Sequence, residues 1–441
     1  VTPNGPSPDV YVRRRAALLE RLDRAVLFLP GAPETVYSND VHYPYRPDSY
    51  VRYLTGLEEP ACLMLARTGS EFDGFTLFVR PRDPLAETWT GERTGVEGAR
   101  AVYGADHAFP LGERHEKLEK SLARAERFYF GHSRDVSDNE RVYEIVHRVN
   151  NGRPRAGGSA IITSEAGAVL DEMRMRKDSD EIALLQRACA VTAAAHRRVM
   201  ETLRPGMHEY EIQALVEYEF RVRGCAGPAY GTIAAGGASA TILHYVRNNR
   251  RLEDGELLLL DAGGEYGGYS ADVTRTMPIG RTFSPAHRAI YDIVLAAQSK
   301  AIETISPAVT HEYVHKTAVR ELASGLIDLR LLSGSIDEVV ESEAYKRFFM
   351  HGTGHWLGMD VHDVGSYREA DTSRTLQPGF VTTVEPGLYI QPDAEVAPEY
   401  RGIGVRIEDD VLVTETGCEV LTAEAPKAPA EIEALRARAF A

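Results

Sequence analysis

Cysteine is scarce in this chain: four in 441 residues, at Cys62, Cys189, Cys225 and Cys418, with no Cys-x-x-Cys spacing. That excludes a zinc knuckle and a disulfide framework, and it predicts reduced, mostly buried thiols and a cytoplasmic setting. Basic charge is short as well, with 50 Lys and Arg against 65 Asp and Glu and a formal net charge of −15. Binding nucleic acid needs a basic stripe to neutralise phosphates, so it is not an expected partner. No run approaches the roughly 20 apolar residues of a membrane span. The opening, VTPNGPSPDVYVRRRAALLERL, has arginines but no apolar core followed by a small-residue cleavage site. A soluble protein without a membrane partner is expected. What remains, 43 % hydrophobic and 26 % charged, is ordinary for a globular chain, and the length suffices for two domains with large cores.

Taken in order, residues 11–24 have the apolar spacing of an amphipathic helix. Strand-like runs at 25–29, 61–66, 75–79 and 128–130 alternate with helical stretches near 114–126 and 137–150. This predicts a small mixed α/β domain over residues 1–174, without a catalytic cluster. Its aromatic-rich segment at 43–60, YPYRPDSYVRYLTGLEEP, and Trp89 in a polar loop are read as packing, a subunit interface or a substrate wall. NGRPRAGG at 151–158 reads as a connection toward a second domain, 175–441. There Asp178 or Ser179, with Glu181 in the first turn, starts a long helix that Pro205 and Gly206 stop. A second helix ends at Gly224. Helices over 285–305 and 311–329 then precede strands at 380–390 and 405–413. Helices followed by strands, twice over, predict two similar halves around one sheet, an α/β (α+β) fold.

The chemistry concentrates in this second region. ELLLLDAGGEYGGYSADVTRT, residues 256–276, reads as a hairpin of two antiparallel strands. With its turn centred between Tyr266 and Gly267, Asp261 and Asp272 fall opposite one another, their Cβ atoms about 5 Å apart. Carboxylates that close repel by roughly 3 kcal/mol at an effective dielectric of 20. A buried pair therefore keeps a proton or holds something positive between them. The bland alternative is that Asp272 lies on a solvated face. Three later clusters break the tie: MHGTGHWLGMDVHDVG at 350–365, VTTVEPGLYI at 381–390 and VRIEDDVLV at 405–413. Each puts His or Glu among apolar neighbours, where an unpaired charge is costly.

His351 and His355 are four apart, but Gly352 stands where a helical HExxH site needs Glu. Gly352, Gly354 and Gly358 instead suit a loop or bulged strand that lets backbone approach a ligand. Glu385, before Pro386, projects from a strand end, and Glu408 sits among Val405, Ile407, Val411 and Val413. Singly, either glutamate could pair with Arg406 or another arginine. Together, Asp261, Asp272, His355, Glu385 and Glu408 carry a charge that two divalent cations would balance. Such a pair activates water and polarises a carbonyl. Oxygen-rich ligation with one nitrogen suits Mn²⁺, with Co²⁺, Fe²⁺ and Zn²⁺ as alternatives.

LDAGGEYGGYSADVTRT, HGTGHWLGMDVHDVG, TVEPGLYI and GVRIEDD resemble the signature stretches of the proline-specific metallopeptidases of the pita-bread fold. YPYRPDSYVRYLTG resembles the N-terminal domain of the family's Xaa-Pro aminopeptidase (aminopeptidase P) branch. The resemblance implies a pita-bread catalytic domain with a pseudo-twofold antiparallel sheet, acting on peptides with proline second. It further implies that Asp272 and Glu408 bridge two metals, Asp261 completes one site, and His355 and Glu385 the other. Glu385 would carry the proton while a bridging hydroxide attacks. His351 and His362 would steady the substrate or its tetrahedral intermediate, and His244 would border the proline pocket. Arg406 would support the ligands and substrate, with Tyr230, Asp40 and Tyr389 as weaker candidates. Ser239 departs from the family, which usually has Asn there, and bears on the pocket rim. Prolidase, cleaving Xaa-Pro dipeptides only, is the near alternative. A non-catalytic binding module on the same fold is the distant one. A homo-oligomer, dimer or tetramer, is the general expectation.

Overall fold

The structure, a computed structural model, describes residues 4–156 and 158–441. The chain falls into two compact units that meet in sequence between Met173 and Arg174.

In the first unit the run AVLFL, Ala25–Leu29, is buried at all five positions. That is what a central strand covered on both faces requires. It pairs antiparallel with Ala61–Arg67 and parallel with Arg127–Phe130, within a six-stranded mixed sheet. The helices Arg114–Leu122 and Val136–Gly152 pack Leu118, Leu122, Val142 and Ile145 against Phe28, Phe78, Phe128 and Phe130.

One detail differs from expectation. Trp89 lies on a short helix, Pro84–Thr90, because Pro84 presets the first turn and Asp83 accepts from the Leu85 and Ala86 N–H groups; the indole is 88 % exposed. In the aromatic segment, Asp48 caps a helix, Ser49–Thr55, that buries Tyr53 and Leu54.

In the second unit a helix pair followed by antiparallel strands occurs twice. The first pair is Ser179–Thr202 and Glu209–Val222; Asp178 and Glu181 form a capping box at its start. The second is Pro285–Thr304 and His311–Asp328, capped by Ser284 and Thr310. The first pair is followed by the sheet Ile233–Gly236, Leu257–Asp261, Thr274–Pro278. The second is followed by Val381–Val384 pairing with Asp409–Val413, and Gly387–Tyr389 with Gly404–Arg406.

Strand periodicity sorts the side chains onto two faces. Leu258, Leu260, Val405 and Ile407 join the helices in one large core. The intervening positions Leu259, Asp261, Arg406 and Glu408 therefore point the other way. The halves meet where the Glu408 N–H donates to the Thr274 carbonyl at 3.1 Å. Arg275, fully buried, spends all five of its donors at this seam. They go to the carbonyls of Thr274, Glu408, Ala425 and Pro426 and to Asp409.

The hairpin register differs from the expected one. Tyr266 pairs with Tyr269, and Asp261 with Thr274. The turn is Gly267-Gly268, with φ of 59° and 90°. A tight hairpin turn of this kind wants positive φ at both central positions, which glycine accepts and Tyr266 does not. The centre moves one residue on, and Asp272 becomes a diagonal neighbour of Asp261 on the same face. At Gly263 the strands approach so closely that a Cβ would lie 1.7 Å from the Ala271 carbonyl oxygen.

Candidate metal centre

A cavity of about 500 Å³ opens in the second unit over the polar face of these strands. All five candidate ligands line it: Asp261, Asp272, His355, Glu385 and Glu408. His355 is carried by the glycine-rich loop, which presses so tightly on the strand Val381–Val384 that a Cβ on Gly354 would meet the Thr383 carbonyl oxygen at 1.9 Å. The His355 N–H donates to Thr383 Oγ1 at 3.1 Å and its carbonyl accepts from the Thr383 N–H at 2.9 Å. With Nδ1 3.0 Å from the Trp356 carbonyl oxygen, that nitrogen carries the ring proton when the imidazole is neutral, and Nε2 is directed at the carboxylates. Nε2 lies 3.4 Å from Asp272 Oδ2 and 3.6 Å from Glu385 Oε1.

The donor chemistry of this group fits cations. Asp272, His355 and Glu408 each offer a ligand atom within 4.8 Å of the other two. The Tyr230 hydroxyl sits 2.6 Å from Asp261 Oδ1 and 2.5 Å from Asp272 Oδ1. One hydroxyl proton cannot satisfy two carboxylates, so a second proton or a positive ion is needed between them. Burial drives the same conclusion for the others: it lifts Glu385 to about 7, against the pull of His355 and Arg406. Glu408 rises well above the carboxylate range, through burial and then the charges of Asp272 and Glu385. Asp261 rises too, burial outweighing Arg406. His355 climbs to about 9, because hydrogen bonding and charge from Asp272 overcome its burial. Carboxyl groups crowded and buried in this way fit a site in which cations take the place of protons.

Arg406 is no surface ion pair. It is buried, donates to Asp261 Oδ2 at 2.6 Å, to Tyr389 Oη at 3.0 Å and to Thr274 Oγ1 at 3.0 Å. Thr274 in turn donates to Glu408 Oε2 at 2.6 Å. The arginine's hydrogen bonds thus go to an aspartate and, among the described residues, not to either glutamate, although its charge acts on both.

His351 has both nitrogens occupied, Nε2 by the Tyr389 hydroxyl at 2.8 Å and Nδ1 by the Gly352 carbonyl at 2.7 Å. Burial holds it at about 4, a neutral ring. His362 packs edge-on against His355 with centroids 4.4 Å apart, and His244 lines the same cavity with the apolar Leu243 and Val246. Ser239 lies in the turn Gly237–Thr241, next to the cavity-lining segment and not in the lining itself. Asp40 belongs to the first unit, in the exposed turn between Val36–Ser38 and Val41–His42.

Sequence reasoning missed the residues behind the ligands. Asp410 Oδ2 accepts from the Asp272 N–H at 3.0 Å and from the Cys189 thiol at 3.3 Å, fixing the Asp272 backbone from a fully buried position. Thr274 was within reach, since it shares a strand face with Asp272. Asp410 stands in the same relation to Glu408, but its contact with Cys189, remote in sequence, left no trace.

A family model described as Metallopeptidase family M24 matches residues 183–415, and one described as Aminopeptidase P, N-terminal domain, matches residues 11–129. The chain belongs to metallopeptidase family M24, and it is a metal-dependent hydrolase with the expected pita-bread catalytic unit. Within that family it is 42 % identical over 433 residues to the Xaa-Pro aminopeptidase of Escherichia coli, covering 97 % of this chain and 98 % of that one. It is 32 % identical over 453 residues to human Xaa-Pro aminopeptidase 3, covering 100 % and 88 %. The solved aminopeptidase PepP of Pseudomonas aeruginosa superposes with a TM-score of 0.94 at 44 % identity, covering 99 % of both chains. A zinc-substituted E. coli aminopeptidase P in complex with product gives 0.93 at 42 % identity, again covering 99 % of both.

Proposed function

We propose that this chain is an Xaa-Pro aminopeptidase, releasing the N-terminal amino acid from peptides whose second residue is proline. The observation that carries the reading is the convergence of Asp261, Asp272, His355, Glu385 and Glu408 on one cavity wall. Asp261, Asp272, His355, Glu385 and Glu408 would hold the divalent cations, with Asp272, His355 and Glu408 offering ligand atoms within 4.8 Å of one another. Bound there, the ions, of which Mn²⁺ suits the oxygen-rich donors best, would lower the pKa of water and polarise the scissile carbonyl.

The chain's own residues do the rest. Glu385 faces the cavity with Oε2 3.8 Å from His351 Nδ1, which suits it to take and return the proton moved in the reaction. Arg406 neutralises Asp261 and, through Tyr389, holds His351 in place. His351 reaches a substrate carbonyl by releasing the Gly352 oxygen. The apolar wall of Ile233, Leu243, Val246 and Val361, bordered by His244 and His362, receives the proline ring. The cavity volume is ample for a short peptide end.

The test compares Xaa-Pro-Xaa, Xaa-Ala-Xaa and Xaa-Pro peptides, with elemental analysis of the purified protein. Cleavage of the first alone, with about two metal equivalents per chain, is expected. Turnover of the dipeptide without the tripeptide replaces this reading with prolidase, and failure to take up any cation replaces it with a non-catalytic module. Light scattering decides whether a homo-oligomer belongs to the same proposal.

A further inference from the structure

The helix His311–Asp328 begins with His311-Glu312-Tyr313-Val314-His315, a literal HExxH on a helix. Read by pattern alone, this is a zinc site with its general base. The structure uses it differently. Glu312 turns outward, its Oε1 2.6 Å from Lys316 Nζ. His315 Nδ1 lies 2.8 Å from the hydroxyl oxygen of Thr353, which is 2 % exposed. His311 packs against Trp356 and Tyr367 with ring centroids at 5.2 and 5.0 Å, and hydrogen-bonds the Gly354 backbone. The space left among His311, His315, Thr353 and Thr383 is about 10 Å³. That is room for no more than one water, and His315 Nδ1 is already engaged by Thr353.

Both histidines therefore back the loop that carries His351 and His355. Thr353 is the pivot: its side chain meets His315, and its carbonyl accepts the Glu385 N–H at 2.7 Å. One residue thus couples the helix to the backbone of Glu385, two positions before His355 on the same loop. Phe349 adds a second brace, its ring 6.0 Å from His315 and 4.7 Å from His351.

We propose that His315, acting through Thr353, is a positioning residue that sets Glu385 and His355 for metal binding, and that His311 seats the same loop. The HExxH is a buttress and not a second metal site. This rests on the functional reading above for its effect on turnover, but its effect on metal uptake stands without it.

The test uses the full chain, stripped of metal and titrated with Mn²⁺ by calorimetry, alongside peptide kinetics. His315→Ala and Thr353→Val should each weaken Mn²⁺ binding about tenfold, the low end for groups that orient ligands, and lower kcat with KM nearly unchanged. His315→Asn, which places a hydrogen-bonding atom near Nδ1, should recover most of both losses. The double variant should be no worse than either single one, because both remove the same contact. The number of ions bound per chain should stay the same in His311→Ala and His315→Ala. Loss of one equivalent in either variant would overturn the proposal in favour of a second site. So would Mn²⁺ affinity and kcat within twofold of the parent in Thr353→Val, or an additive double variant. If the parent binds Mn²⁺ but cleaves no Xaa-Pro peptide, the functional reading fails while the calorimetry still decides this one.

Discussion

Arg406 shows how much one side chain can be asked to do. It supplies a positive charge against a wall of carboxyl groups and joins Asp261, Thr274 and Tyr389 through three different nitrogens. Arg406→Met should leave the fold standing by circular dichroism but lower metal affinity or activity by about 10- to 100-fold. Arg406→Lys should recover only part, since an ammonium cannot reach all three partners at once. Equal activity in Arg406→Met and the parent would show that the network is idle.

A second residue sets a pH dependence. His196 is fully buried, with one nitrogen 2.9 Å from the Ala262 carbonyl oxygen, and burial lowers it to about 4. Between its ordinary value of 6.5 and about 4, the unfolded chain takes up a proton that the folded chain refuses. Stability therefore rises with pH across that window and is lost on acidification, by roughly 3 kcal/mol when complete. Urea unfolding at about pH 7 and about pH 4.5 should show a smaller acid loss in His196→Gln than in the parent. Parallel losses would exclude His196 as the cause.

At the scale of elements, the strands do the positioning, and glycine decides how near they come. Gly263→Ala would drive a Cβ into the Ala271 carbonyl, beside Asp272. Such overpacking costs about 1–3 kcal/mol, and here it should reduce metal content as well as melting temperature, because the displaced strand carries a ligand. A normal metal content in a destabilised Gly263→Ala protein would separate the two effects and contradict this account.

The same elements show what could be read from the residues. Glu385 and Glu408 were conspicuous because a charge among apolar neighbours is costly without a partner, and Asp261 because the hairpin brought a second carboxylate close to it. The helices at 179, 285 and 311 were legible from caps and apolar spacing. The hairpin register was not, since GGEYGG contains two glycine pairs and only the three-dimensional strand pairing chooses between them. Nor were Arg275, Thr353 and Asp410, whose partners lie over a hundred residues away or act through backbone atoms that leave no pattern.

For the whole molecule, the largest effect should come from the metals themselves. Four carboxyl groups, three of them buried, share one cavity, and the chain as a whole carries an excess of 15 negative charges. A ligand at a hundred times its Kd stabilises by about 2.7 kcal/mol, worth roughly 5–10 °C in a unit of this size. Chelator-stripped protein should melt lower by at least that much and recover with Mn²⁺. The gain should grow as pH rises, because the ions must displace protons to bind. Superimposed melting curves with and without Mn²⁺ would refute a metal-stabilised unit.

The contact of Tyr230 with both aspartates has a practical corollary. A phenol pinned between two acids changes its ultraviolet absorption when either neighbour swaps a proton for a cation, so the enzyme carries its own dye. A difference spectrum near the tyrosine band should track cation loading without any substrate, and Tyr230→Phe should silence it.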